Sequence, residues 1–207
     1  MIDVESSVYI TLVVGTPGTG KTLIGAMLSE ELQCRFMDSS RLFIKEQIVK
    51  PDHTGRHTYI VDYDKALKVI VNLLRNAACY VVETHYPSLW IEAVESYIPF
   101  IILLRTHPLL LYDRLRMKGW PKPKIVENAV AEATNVIAEE LYEWRHMVLE
   151  VDTTNRDPIG VMDDLFNSLY EWRTGIRIDW LSRDESLTSI VSKWLIDLDR
   201  YKYGFRE

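Results

Sequence analysis

Gly15-Thr16-Pro17-Gly18-Thr19-Gly20-Lys21-Thr22 fits the pattern GxxxxGK[ST] and follows the β-rich run VYITLVV. Glycines at this spacing let the chain wrap so that consecutive backbone N–H groups point inward at phosphate oxygens, and the helix expected over Lys21 to Gln33 adds its positive dipole end. Lys21 would carry a point charge to the β and γ phosphates of a nucleotide. Thr22 would offer a hydroxyl to Mg²⁺, whose octahedral preference leaves positions for waters and nucleotide oxygens. The plain alternative is a glycine-rich turn that merely joins strand to helix. The full pattern between a β-rich run and a helix argues against it.

A phosphate loop also needs a carboxylate at the end of a neighbouring strand, to hold the metal directly or through water. Tyr80-Val81-Val82-Glu83-Thr84-His85 offers one, because an acid directly after an apolar strand emerges at the carboxyl edge of the sheet, where open α/β sheets place their ligands. Glu83 is therefore the expected second Mg²⁺ ligand beside Thr22. His85 stands where it could orient a water or a phosphoryl acceptor, or support Glu83, against the alternative of a loop histidine bonded to backbone. Phosphoryl transfer further needs cations that close over the developing charge. Arg105 leaves a strand in LLRTHP, while Arg114 and Lys118 lie four residues apart in YDRLRMKGW and lead into a proline-rich stretch. A charged helix face is more often simply solvated. Position before that stretch favours Lys118 as the cation that closes the site.

These residues need a scaffold, and the chain alternates short β-branched runs with longer helical-period stretches, the mark of parallel βα units. Strands are expected at Val8 to Val14, Cys34 to Met37, Cys79 to Val82, Phe100 to Arg105 and Val148 to Val151. Val126, Val130, Ala133, Ile137, Leu141 and Trp144 step as one helix, and Met162, Leu165, Phe166 and Leu169 as another. Lys50 to Thr58 and Lys118 to Lys124 read as excursions, the second as a lid. After Gly175 the pattern restarts with Leu187, Ile190, Val191, Trp194, Leu195, Leu198 and Tyr201 on one helical face, expected to pack on the main domain.

The bulk numbers fit this scaffold. At 207 residues, with 47% hydrophobic and 26% charged side chains, one compact domain needs no disulfide framework or structural metal. Cys34 and Cys79, without a CxxC or Cys/His cluster, read as buried thiols in a reducing compartment, so cytoplasm is expected. A net charge of −6 disfavours non-specific nucleic-acid binding. The acidic, polar start MIDVESS and the absence of a long apolar run speak against secretion and membrane insertion.

The phosphate loop, Glu83-Thr84-His85, LLRTHPLLLYDRL, KGW and Glu127-Asn128 together resemble the adenylate kinase isoenzyme 6 family, the archaeal and nuclear adenylate-kinase-like ATPases of small-ribosomal-subunit maturation. The resemblance runs from about Tyr9 to Trp172. It implies nucleotide contacts at Gly18, Gly20, Lys21, Thr22 and Leu23, with Gly15 and Thr19 in the same loop, and a lid from about Met117 to Glu127. Lys118 stands where the family has arginine and would act as a point charge rather than a bidentate clamp. Glu83 stands where the family usually has aspartate, and His85 matches its histidine. The departures gather between Asp38 and Val61, the monophosphate-binding region, where SSRLFIK and KPDHTGRHT replace the family's runs and Ile44 takes an arginine position. Arg41, Lys45 and Arg56, together with Arg105 and Arg114, are the candidate acceptor-phosphate contacts.

The expectation is a three-layer α/β/α P-loop fold of the nucleoside monophosphate kinase type, with five parallel strands in the order 2-3-1-4-5. Residues 1–174 would form the kinase domain and 175–207 a helical extension packed on it. Mg²⁺-ATP would donate its γ-phosphoryl to AMP or to water, and the resemblance adds late 30S maturation and transient binding of a ribosomal protein of the S11 type. The rival is an assembly ATPase with vestigial transfer to AMP. A small-metabolite kinase such as one for shikimate lacks its acceptor motif here, and a GTPase lacks NKxD.

Overall fold

The computed structural model describes residues 9–51, 59–74, 79–94 and 100–203. The chain runs β1 (Ile10–Val14), α1 (Lys21–Glu31), β2 (Arg35–Asp38), α2 (Ser39–Lys45), β3 (Val49–Pro51), β4 (Tyr59–Val61), α3 (Tyr63–Leu74), β5 (Tyr80–Thr84), α4 (Pro87–Val94) and β6 (Ile101–Arg105). It continues with α5 (Pro108–Met117), α6 (Lys122–Ala133), α7 (Val136–Glu140), β7 (Val148–Asp152), α8 (Pro158–Tyr170), α9 (Trp180–Arg183) and α10 (Ser186–Tyr203). Five parallel strands pair in the order β2-β5-β1-β6-β7, which is the expected 2-3-1-4-5 once the two short strands β3 and β4 are set aside.

Because side chains alternate along a strand, the sheet feeds two cores. Ile10, Leu12, Val14, Val82 and Leu103 meet Phe43, Ile70, Leu89 and Trp90 on one face. Val13, Val81, Ile102, Leu104 and Val151 meet Ile24 and Leu28 of α1 and Val161 and Leu165 of α8 on the other. Both faces are covered, as the unbroken apolar runs require. All five strands point the same way, so the loops after β1, β5, β6 and β7 gather at one edge.

Four expectations need correction. β5 extends through Glu83 and Thr84, so the acid is the next-to-last residue of the strand rather than following it. The segment expected as one excursion begins with β3, which pairs antiparallel with β4; seven residues between them, with Arg56, lie outside the described residues. The helical period from Val126 to Trp144 is broken, since α6 stops at Ala133, Asn135 adopts φ 59°, and a 3-10 helix covers Tyr142–Met147. The break is held by tertiary bonding, for Arg105 Nη2 donates to Asn135 Oδ1 at 2.6 Å. Finally, Cys34 and Cys79 are joined in a disulfide with Cα atoms 4.8 Å apart, not separate thiols. Each precedes its strand, and β2 pairs with β5 so that Arg35 lies opposite Tyr80. Their separation of 45 residues in sequence hides a neighbour relation that the strand order creates.

The C-terminal segment packs on α5 and α6. Val191, Trp194 and Leu198 join Val126, Val130 and Ala133, and Tyr112 stacks on Trp194 with ring centroids 5.4 Å apart. No helix among the described residues is long and apolar enough to cross a membrane.

Candidate active site

The loop from Gly15 to Gly20 connects the centre of the sheet to α1. Gly15, at φ +143°, approaches the backbone of β6 so closely that a Cβ would stand 2.5 Å from the carbonyl oxygen of Leu104. At Gly18, φ +98°, a Cβ would meet Leu111 of α5 at 2.8 Å. Larger residues at either place would displace the loop from the elements that shape it. The carbonyl of Thr16 then accepts from Thr19 N at 3.3 Å, Thr19 Oγ1 at 2.9 Å and Lys21 Nζ at 3.2 Å. Thr153, just past β7, donates to the carbonyl of Thr19 at 3.1 Å.

Lys21 is 5% exposed, and burial pulls its pKa down to about 8, against the raising effect of Glu83 and Glu132. Its ammonium is therefore largely charged at neutral pH. Thr22 donates to Glu83 Oε1 at 3.0 Å, while Glu83 Oε2 is buried with no hydrogen-bond partner. An orphaned carboxylate oxygen beside a hydroxyl and a phosphate loop fits Mg²⁺, which is usually held by one or two protein oxygens plus substrate phosphates and water. Among the described residues there is no cluster of three or more His, Cys, Asp or Glu that could hold a metal by itself. His85 follows β5 and lies against Tyr86, ring centroids 4.1 Å apart. Burial, then the charge of Lys21, lowers its pKa to about 4, so it is neutral at pH 7.

Two cavities flank the loop. One, of about 420 Å³, is lined by Thr19, Arg114, Met117, Thr153, Arg156 and Pro158 among others. The second, of about 510 Å³, is lined by Lys21, Thr22, Ser40, Glu83, His85 and Trp120 among others. Gly18, Gly20, Leu23 and Lys118 border both. Lys118 caps the end of α5, and the turn Lys118-Gly119-Trp120-Pro121 leads directly into α6, with Lys124 Nζ 4.6 Å from the centre of the Trp120 ring.

The acceptor candidates are not brought together. Arg41 is ion-paired with Asp38 at 3.3 Å with its side chain 87% exposed, Lys45 is exposed at the end of α2, and neither lines either of these two cavities. Arg105 is a correction: it is 1% exposed, and its guanidinium donates to Glu132, Glu150, Asn135 and the carbonyl of Ile178, leaving nothing for a phosphate. Arg114 donates to the Thr153 carbonyl at 2.9 Å and borders the first cavity, on the far side of the loop from Glu83 and His85. Arg156, Thr153 and Glu132 escaped sequence reading. An acid on the otherwise apolar stripe Val126, Ala129, Val130, Ala133 was the available signal for Glu132.

The AAA domain family matches residues 11–135. A "Putative adenylate kinase" of Sulfurisphaera tokodaii is 31% identical over 191 residues, covering 92% of this chain and 93% of that protein. The chain belongs to the adenylate-kinase-like family of these archaeal proteins. A relative of the same name from Methanocaldococcus jannaschii is 28% identical and spans 83% of the chain and 92% of its own length. Among solved structures, shikimate kinase from Acinetobacter baumannii superposes with a TM-score of 0.53 at 18% identity, over 80% of this chain and 94% of that one. A gluconokinase from Sinorhizobium meliloti gives 0.52 at 16%, over 79% and 92%. At such identities these two establish the P-loop kinase fold and nothing further.

Proposed function

We propose that the protein is a Mg²⁺-ATP-dependent nucleoside monophosphate kinase of the adenylate kinase type, with AMP as the favoured acceptor and ATP hydrolysis as a side activity. The observation that carries this reading is the pair of cavities meeting at the phosphate loop, with Lys21, Glu83 and His85 on one side and Lys118 bordering both. Family membership supports a kinase.

The nucleoside of ATP would occupy the cavity beside Arg156 and Thr153, and the phosphates the loop. Lys21 would exchange the Thr16 carbonyl for phosphate oxygens, an exchange its positive charge favours. Thr22 and Glu83 are the residues that would hold Mg²⁺, which when bound neutralises charge on the β- and γ-phosphate oxygens. Lys118 would approach from the turn between α5 and α6 and stabilise the equatorial oxygens. Neutral His85 can accept a hydrogen bond and so hold the attacking group in line. Positioning and electrostatics do nearly all the work in such transfers.

The exposed, unassembled cations of α2 favour a second reading, in which hydrolysis times the release of a protein partner. The motif resemblance to the isoenzyme 6 family points that reading to late small-subunit maturation and an S11-type ribosomal protein, and the −6 charge suits a basic partner. Either role belongs to the cytoplasm, where the Cys34–Cys79 bridge would resemble the intracellular disulfides known in hyperthermophilic archaea.

A bisubstrate probe separates the readings: two adenosines joined by five phosphates, titrated calorimetrically against ATP in the presence of Mg²⁺. Binding at least tenfold tighter than ATP supports an adjoining monophosphate site. Binding no tighter than ATP overturns AMP as the acceptor.

A further inference from the structure

Glu132 is the most heavily bonded buried acid near the loop, and it takes no part in the mechanism above. It is 2% exposed, on the inner face of α6. Its Oε1 accepts from Arg105 Nε at 2.8 Å, Thr106 N at 3.2 Å and Trp180 Nε1 at 3.0 Å. Its Oε2 accepts from Thr16 Oγ1 at 2.6 Å. Three distant parts of the chain therefore converge on one carboxylate: the phosphate loop, the end of β6 and the C-terminal segment.

We propose that Glu132 is a positioning residue for the phosphate loop, and that through Trp180 it makes the loop's geometry depend on the seating of the C-terminal segment. The inference rests on the reading of the loop as a nucleotide site.

Thr16 presents two opposite faces. Its hydroxyl is held by Glu132, and its carbonyl holds Lys21 Nζ and both donors of Thr19. Fixing the hydroxyl fixes the peptide plane that shapes the loop, so the loop N–H groups are aimed before phosphate arrives. Simple neutralisation of Arg105 does not require this arrangement, because Glu150 already pairs with Arg105 at 2.9 Å. The same Glu150 accepts from Ile178 N at 2.9 Å, and Arg105 Nη1 donates to the carbonyl of Ile178 at 3.2 Å. Trp180, 4% exposed, is thus delivered to Glu132 by a strand-side network. The C-terminal segment reaches the loop through one carboxylate.

Truncating Glu132 would leave Arg105 Nε, Thr106 N and Trp180 Nε1 buried without their acceptor and risk the fold, so the test uses its partners. Thr16→Val deletes the hydroxyl at nearly constant volume, Thr16→Ser restores it, and Trp180→Phe deletes only the indole donor. Mg²⁺-ATP affinity is measured by calorimetry on the full chain, with thermal midpoints alongside. Thr16→Val should bind roughly tenfold more weakly, the worth of one hydrogen bond to a charged acceptor, with Thr16→Ser within about twofold of wild type. Trp180→Phe should weaken binding in the same direction, and the double variant by less than the product of the two. Wild-type binding that Thr16→Val leaves within about twofold overturns this inference alone. Unchanged affinity in Trp180→Phe, or a strictly multiplicative double variant, overturns the link to the C-terminal segment. A wild-type chain that does not bind Mg²⁺-ATP overturns the nucleotide reading and this inference with it.

Discussion

Lys21 and Arg41 are both candidate phosphate contacts, and their surroundings are opposite. Lys21 is buried, tied to the Thr16 carbonyl, and reached by a network that runs through Thr16 and Glu132 to Arg105. Arg41 stands in solvent, paired with Asp38, which also caps α2 through the N–H groups of Ser40 and Arg41. On the proposed reading, the donor side of the cleft is organised by bonds within the chain itself. The acceptor side presents loose cations on a short helix beside a two-stranded hairpin. Preorganised donors aimed at developing charge contribute most to phosphoryl transfer, while an exposed cation contributes little until a ligand orders it. On the proposed reading, chemistry would belong to the first side and the choice of acceptor to the second.

The comparison breaks most visibly if the buried side proves dispensable. Lys21→Ala should lower turnover by about 10³-fold, measured as ADP formation at saturating Mg²⁺-ATP. His85→Ala is expected to slow transfer by about 10²-fold, at the low end for an acid–base or orienting group, with ATP affinity unchanged; equal rates would return His85 to a packing role. Next comes pH. The free enzyme loses the Lys21 charge as pH rises through about 8, so kcat/KM for ATP should fall above that value, whereas His85, neutral above about 4, should leave the profile flat from pH 5 to 8. The smallest effect sharpens the other side: Arg41→Ala or Lys45→Ala should raise KM for the monophosphate by only about two- to fivefold, with KM for ATP unmoved.

The two sides also differed in legibility. Gly15 to Thr22 announces its own geometry, because the turn, the anion cradle and the helix start are local, and Glu83 could be placed from the apolar strand before it. The alternation of runs pointed to parallel βα units, and the strand order came with the monophosphate-kinase type that the phosphate loop and the resemblance imply. What escaped was long-range. Arg105 looks like a free cation in LLRTHP, but partners 27 and 45 residues away consume it. Asn135 sits in an unbroken apolar period and breaks the helix because Arg105 holds it. Cys34 and Cys79 become neighbours only through strand order. On the acceptor side, the hairpin strands are three residues each, too short for a period to register.

The most direct test is ADP formation from Mg²⁺-ATP by the purified protein, alone and with AMP, dAMP, CMP, UMP or GMP, with Lys21→Ala as the control for contaminating activity. Strong stimulation by AMP or another monophosphate, with its diphosphate as product and none of it in the variant, is the predicted result. Slow turnover that no monophosphate changes would contradict the kinase and leave the partner-coupled ATPase in its place.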